Sequence, residues 1–130
     1  MEEEMALNRL EVKYVRDGIK TRYQKANACA ICGTTDELEY HHYNTVDLLW
    51  DKWKKANGIG IISDPEQIKT LRESFYIDYE QEMVYDCVTL CSKHHKLLHS
   101  LYGASPSLLT ANKQKNWVAK QNAKFNKINT

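Results

Sequence analysis

The stretch Cys87-Val88-Thr89-Leu90-Cys91-Ser92-Lys93-His94-His95-Lys96-Leu97-Leu98-His99 changes period in its middle. The half before Cys91 is apolar and β-branched, so a strand is expected over Met83 to Leu90. The half after it has helical spacing. Ser92 reads as its N-cap, Leu97, Leu98 and Leu101 as its apolar side, and Gly103 as its stop before Pro106. Residues i and i+4 share a helix face, so His95 and His99 stand one turn apart and two such imidazoles can grip one cation.

Working outward, Cys91-x-x-His94 is half of a tetrahedral site, and Cys29-Ala30-Ile31-Cys32, with Gly33 behind it, is another half. Thiolate and imidazole ligands suit zinc better than magnesium or calcium. Cys29, Cys32, Cys91 and His94 are therefore assigned to a closed structural zinc. Cys87, four residues before Cys91, leaves an alternative open, an all-cysteine site that frees His94. Two disulfides would require an oxidising compartment, and the acidic start Met1-Glu2-Glu3-Glu4 carries no signal-peptide pattern, so a reduced, cytoplasmic protein is expected.

The remaining histidines are His41, His42, His95 and His99. A zinc protease would place Glu after the first histidine of H-E-x-x-H, whereas Lys96 stands here. Neither the H-x-E nor the P-C-x-x-C pattern of a zinc deaminase occurs. A C2H2 finger needs its histidines about a dozen residues behind the second cysteine, far short of the distance from Cys32 to His95.

In order, Cys29-x-x-Cys32, His41-His42, Asp86 and Cys91-x-x-His94-His95-x-x-x-His99 resemble the HNH endonucleases, over residues 29 to 99. The resemblance implies a ββα-metal core in which His41 and His95 bind a catalytic divalent cation and His42 is the general base. His99 matches a further ligand of the colicin-like branch. Asp86 stands where the family has an Asn that holds the base-bearing loop, and it can accept hydrogen bonds but lacks the amide donor; the alternative reading is that it only caps a turn. The implied reaction is hydrolysis of DNA phosphodiester bonds, by nicking or double-strand cleavage, to 5′-phosphate and 3′-hydroxyl ends. Magnesium or manganese is the expected catalytic cation, with nickel or zinc as alternatives. A bacterial host cell or its phage is the implied source. The competing readings are a zinc-stabilised DNA-binding module without catalysis and a structural zinc protein that works through protein partners.

Charge points the same way. Residues 1–86 hold all 17 acids against 11 Lys and Arg, a net −6, while residues 87–130 hold 7 Lys and no acid, a net +7. Lys93 and Lys96 flank the site histidines, and Lys113, Lys115, Lys120 and Lys124 stud the last segment, so salt-sensitive phosphate contacts are expected from them. That segment reads as a basic helix over about 110–127, capped by Thr110, with Trp117, Phe125 and Ile128 as its apolar anchors.

The rest reads as additions to one domain spanning 1–130, with a core over 29–102. The first 28 residues form a helix with Leu7, Leu10, Tyr14 and Ile19 on one side, ended or broken by Gly18. Leu38 to Tyr43 is the first strand. An insertion over about 44–82 carries two helices. One runs from Thr45 to Asn57 and buries Leu49, Trp50 and Trp53; the other opens at Asp64-Pro65-Glu66, an N-cap followed by Pro at N1. Gly58-Ile59-Gly60 separates them, and no stretch reads as a transmembrane span. The expected class is α+β: a zinc-bound ββα-metal core with an N-terminal helix, a helical insertion between the strands and a C-terminal basic helix.

Overall fold

Element order follows the expected α+β plan: α1 (Glu2–Ile19), β1 (Leu38–His42), α2 (Val46–Ala56), α3 (Pro65–Asp78), a π-helical turn (Gln81–Tyr85), β2 (Cys87–Cys91), α4 (Ser92–Tyr102), a 3-10 turn (Leu108–Thr110) and α5 (Ala111–Ile128). The computed structural model describes residues 2–128, with side chains from Ala6 onward. Two compact units result, one formed by 2–24 and 46–85, the other by 25–45 and 86–128.

In the first unit, α1 buries Glu11, Val15 and Ile19, spaced four apart, so its inner face is turned from the expected one; Leu7, Leu10 and Tyr14 are half-buried on its flank. Gly18 is the penultimate residue of the helix, which thus ends beside it as expected. A Cβ there would meet the Tyr76 hydroxyl and come within 2.8 Å of the Arg72 guanidinium, so this glycine allows α3 to approach. The helix ends at Ile19, short of residue 28. Trp50 and Trp53 stack with centroids 5.3 Å apart, and Phe75 meets Trp50 edge-on at 5.2 Å, which makes both tryptophans core. Asp64 caps α3, its side chain accepting from Glu66 N–H at 3.1 Å with Pro65 at the first position, as its sequence implies.

In the second unit, β1 and β2 pair antiparallel with Leu38 opposite Cys91 and His42 opposite Cys87. The second strand is shorter than expected. Before it, at the end of the first unit, Met83 N–H bonds the carbonyl of Tyr79, so the chain carries on a helical path through Tyr85 and buries Met83. The cap of α4 is Cys91 rather than Ser92; its sulfur makes no capping bond. Behind the strands α4 packs on both, through Leu98 alone among its leucines, since Leu97 and Leu101 are exposed. Ile31, Tyr43, Leu90, Leu98 and Val118 form the core, with Trp117 and Tyr102 packed against it.

The inward face of α5 also differs from the expected one. Gln114 and Val118 are its buried residues; Trp117 is half-buried, while Phe125 and Ile128 are exposed. Spacing of i, i+4 puts Gln114 and Val118 on one stripe, which a count of hydrophobic side chains alone overlooks. Asn122 fastens the helix by donating from Nδ2 to the Ile31 carbonyl at 3.1 Å, beside the first cysteine pair.

Candidate metal centre

Two groups of side chains that could hold metal ions lie in the second unit. The first is Cys29, Cys32, Cys91 and His94, whose ligand atoms all lie within 4.8 Å of one another. Cys91 Sγ is 3.2 Å from His94 Nδ1 and 3.9 Å from Cys32 Sγ, and Cys29 Sγ is 3.9 Å from His94 Nδ1. The knuckle closes because Gly33, at φ +74°, donates its N–H to the Cys29 carbonyl. Burial raises the Cys29 thiol, but backbone N–H groups of Cys32, Cys91 and Ile31 outweigh it and lower the net value. Burial, then the Lys93 charge, lowers His94, which favours the neutral ring that a metal needs.

Cys87 stands apart from this group. Four residues upstream on the same strand, it is about 13 Å away along the chain. Burial pushes its thiol up to about 12, so it stays protonated. The arrangement therefore favours His94 over Cys87 as the fourth member.

The second group is His41, His95 and His99. His41, on β1 and almost wholly buried, brings Nδ1 to 3.1 Å from His95 Nε2, and His95 Nε2 is 3.0 Å from His99 Nε2. Each ring engages a different partner with its remote nitrogen. His41 Nε2 lies 2.7 Å from Gln114 Oε1, His95 Nδ1 is 2.8 Å from Glu39 Oε1, and His99 Nδ1 is 2.8 Å from the Gly103 carbonyl. A carbonyl and a carboxylate accept from a ring N–H, so the neutral forms of His95 and His99 carry their proton on Nδ1 and turn bare Nε2 lone pairs inward. Lone pairs that converge at hydrogen-bond distance with no proton between them repel unless a cation joins them. Such outer acceptors are the usual companions of metal-bound imidazoles. Burial, partly offset by the Gln114 hydrogen bond, lowers His41 to about 4, which keeps it neutral.

His42 ends β1, and strand alternation carries its ring to the face opposite His41, where it meets Tyr40 edge-on at 5.4 Å. Asp86, just ahead of β2, accepts from Asn44 Nδ2 at 2.8 Å through one carboxylate oxygen and pairs with Lys115 through the other. Asn44 lies two residues beyond His42, so the chain behind the first strand is tied to the start of the second.

The lysines expected to meet nucleic acid divide. Lys93, Lys96, Lys113, Lys120 and Lys124 are exposed, whereas Lys115 turns inward onto Asp86 and sits 5.7 Å from the centre of the Tyr43 ring. At 100° per residue, Lys113, Lys120, Lys124 and Lys127 fall within an arc of about 60° and span about 21 Å of α5. The second unit holds eight lysines against four acids.

Three supporting residues escaped the sequence reading. Glu39 shares a strand face with His41 by period-two spacing, a signal that was present. Asn44 and Gln114 carried none, being neutral amides far in sequence from what they touch. Comparison with known proteins gives one family match: the model of the nicking endonuclease family, named for a phage T5 nicking endonuclease, covers residues 1–130. No solved structure matches the chain.

Proposed function

From membership of this chain in the nicking endonuclease family, and so of an enzyme acting on DNA, we propose that it nicks DNA by the HNH mechanism on a ββα-metal core. His41, His95 and His99 would hold the catalytic divalent cation, magnesium or manganese in the first instance. Cys29, Cys32, Cys91 and His94 would hold a structural zinc. The observation that carries this reading is the convergence of three imidazoles whose remote nitrogens are each hydrogen-bonded.

The donor chemistry fits both ions. Thiolates with one imidazole make a closed tetrahedral set, whereas three imidazoles leave positions for water and a phosphate. When bound, a divalent cation supplies polarisation of the phosphoryl oxygen and stabilises charge on the departing 3′ oxygen. The remaining work falls to the chain. His42 takes the proton of the attacking water, a task for which imidazole, with an ordinary pKa near ~6.5, is suited at neutral pH. Asp86 and Asn44 hold the segment that follows His42. One such centre per chain cuts one strand at a time, and the products carry 5′-phosphate and 3′-hydroxyl ends.

The lysine stripe of α5 supplies phosphate contacts. It begins at Lys113, next to the residue that touches His41, so a strand bound along it leads towards the site. Conversion of supercoiled plasmid to open circles, with magnesium or manganese added, tests the proposal through His42→Ala and His95→Ala. Loss of nicking in both, with zinc content and fold kept, is expected; cleavage by His42→Ala at the wild-type rate overturns the assignment of the base.

A further inference from the structure

The geometry points to Gln114 as the positioning residue for the His41 ligand: its amide, locked in one orientation, holds the ring in the tautomer whose Nδ1 lone pair faces the cation. The inference rests on the reading of the triad as a cation site. It concerns a neutral residue on α5, which lies beyond the strand-and-helix motif altogether.

The lock follows from donor and acceptor accounting. Gln114 is fully buried, so its amide must find partners within the protein. Its Nε2 lies 3.3 Å from the Tyr43 carbonyl and 3.0 Å from Thr110 Oγ1. The carbonyl can only accept. Thr110 spends its one hydroxyl proton on the Ser107 carbonyl, at 2.6 Å, so towards Gln114 it too can only accept. Both N–H bonds of the amide are thereby used, and the group cannot flip without setting acceptor against acceptor twice. Oε1 must then face His41 Nε2 at 2.7 Å. An oxygen there obliges Nε2 to carry the proton, which leaves Nδ1 bare at 3.1 Å from His95 Nε2. A chain of hydrogen bonds from the Ser107 carbonyl to the metal group thus fixes one proton. Because α5 provides both the amide and the lysine stripe, the helix that tracks the nucleic acid also sets the first ligand.

The test uses the full chain with zinc in its thiolate site, and manganese as the probe. Long-range proton–nitrogen correlation spectra of the rings, recorded without manganese, are expected to show His41 protonated on Nε2 alone. Gln114→Leu removes the acceptor at similar volume. Mixed tautomers and manganese binding weaker by about 10- to 100-fold are expected, as for other outer partners of metal-bound histidine, with zinc content and circular dichroism unchanged. Gln114→Glu keeps an oxygen against Nε2, and as the carboxylic acid still donates to the Tyr43 carbonyl, so it should hold the tautomer and bind manganese more tightly than Gln114→Leu. A role in packing alone predicts the reverse order, because a buried carboxylate disturbs the core more than leucine does.

Wild-type His41 protonated on Nδ1, or Gln114→Leu with unchanged manganese affinity, overturns the inference. So does Gln114→Glu binding as weakly as Gln114→Leu. If Gln114→Leu does not fold, the wild-type tautomer and the affinity of Gln114→Glu decide the matter. A wild-type protein with the expected tautomer and manganese affinity, but no metal-dependent nicking, supports the role of Gln114 and overturns the nuclease mechanism alone.

Discussion

Asp86→Ala should slow nicking by about 30- to 150-fold while leaving zinc binding intact. The Asn44 amide donates to Asp86 Oδ2 at 2.8 Å, and a hydrogen bond to a charged group contributes about 1.5–3 kcal/mol. The Lys115 side chain of the ion pair is 36% exposed and that of Asp86 22%, so solvent screening limits this contribution to about 1 kcal/mol or less. About 2–3 kcal/mol thus ties the segment behind His42, and each 1.36 kcal/mol in the barrier is tenfold in rate. Asp86→Asn keeps an acceptor but loses the charge, so an intermediate loss of about five- to tenfold is expected. Single-turnover plasmid nicking at saturating divalent cation is the assay, with Asn44→Ala and the double variant completing a cycle. Because both single changes break the same bond, the double variant should be little slower than either, a coupling of about 1.5–2 kcal/mol. Coupling below about 0.5 kcal/mol, or wild-type nicking by Asp86→Ala, refutes the idea that this bond holds the base in place.

Three further outcomes are expected. In protein free of divalent cation at the triad, His41 should titrate near 4, not at its ordinary 6.5. Its folded pKa lies below the unfolded one, so the stability that it contributes is complete above pH 6.5 and is lost as pH falls through 4. The total is about 3 kcal/mol, and an imidazole resonance with a midpoint near 6.5 contradicts it. Lys120→Gln and Lys124→Gln should each lower the slope of log affinity against log salt by about 0.9 on duplex DNA, equally for unrelated sequences. Lys115→Gln should leave that slope unchanged, since its charge is spent on Asp86; a slope that falls with Lys115 and not with the other two defeats the assignment of the α5 stripe. Finally, His94→Ala should release the zinc and Cys87→Ser should retain it, as read by a chromogenic chelator; the opposite result reassigns the fourth ligand.

How much of this was legible before the structure depends on how local the physics is. Cys29-x-x-Cys32 and Cys91-x-x-His94 could be read because a two-residue gap in a tight turn almost dictates a shared tetrahedral ion. His95 and His99 could be read because helix geometry makes i and i+4 neighbours, and the structure brings them together with His41. The aromatic face of α2 and the cap of α3 were equally local. Failures came where tertiary contact decides. Which face of α5 turns inward is set by Gln114 bonding His41, 73 positions away, against the pull of Phe125 and Ile128. The face of α1 is set by Glu11, a buried acid that accepts from Trp50 Nε1 at 3.0 Å and from the Ile62 N–H at 3.1 Å. A hydropathy pattern cannot anticipate a buried carboxylate or amide, because the partners that make its burial tolerable lie elsewhere in the chain. Lys115 deceived for the same reason: nothing near it in sequence foretells Asp86.

The central claim is that three imidazoles on β1 and α4 gather around one exchangeable divalent cation, separate from a thiolate-bound zinc. Anomalous diffraction from crystals soaked in manganese, with data collected on both sides of the zinc edge, addresses it most directly. Manganese is expected among His41 Nδ1, His95 Nε2 and His99 Nε2, and zinc among Cys29, Cys32, Cys91 and His94. Manganese bound elsewhere with the three histidines bare, or zinc filling the triad with no exchangeable position, would contradict the account.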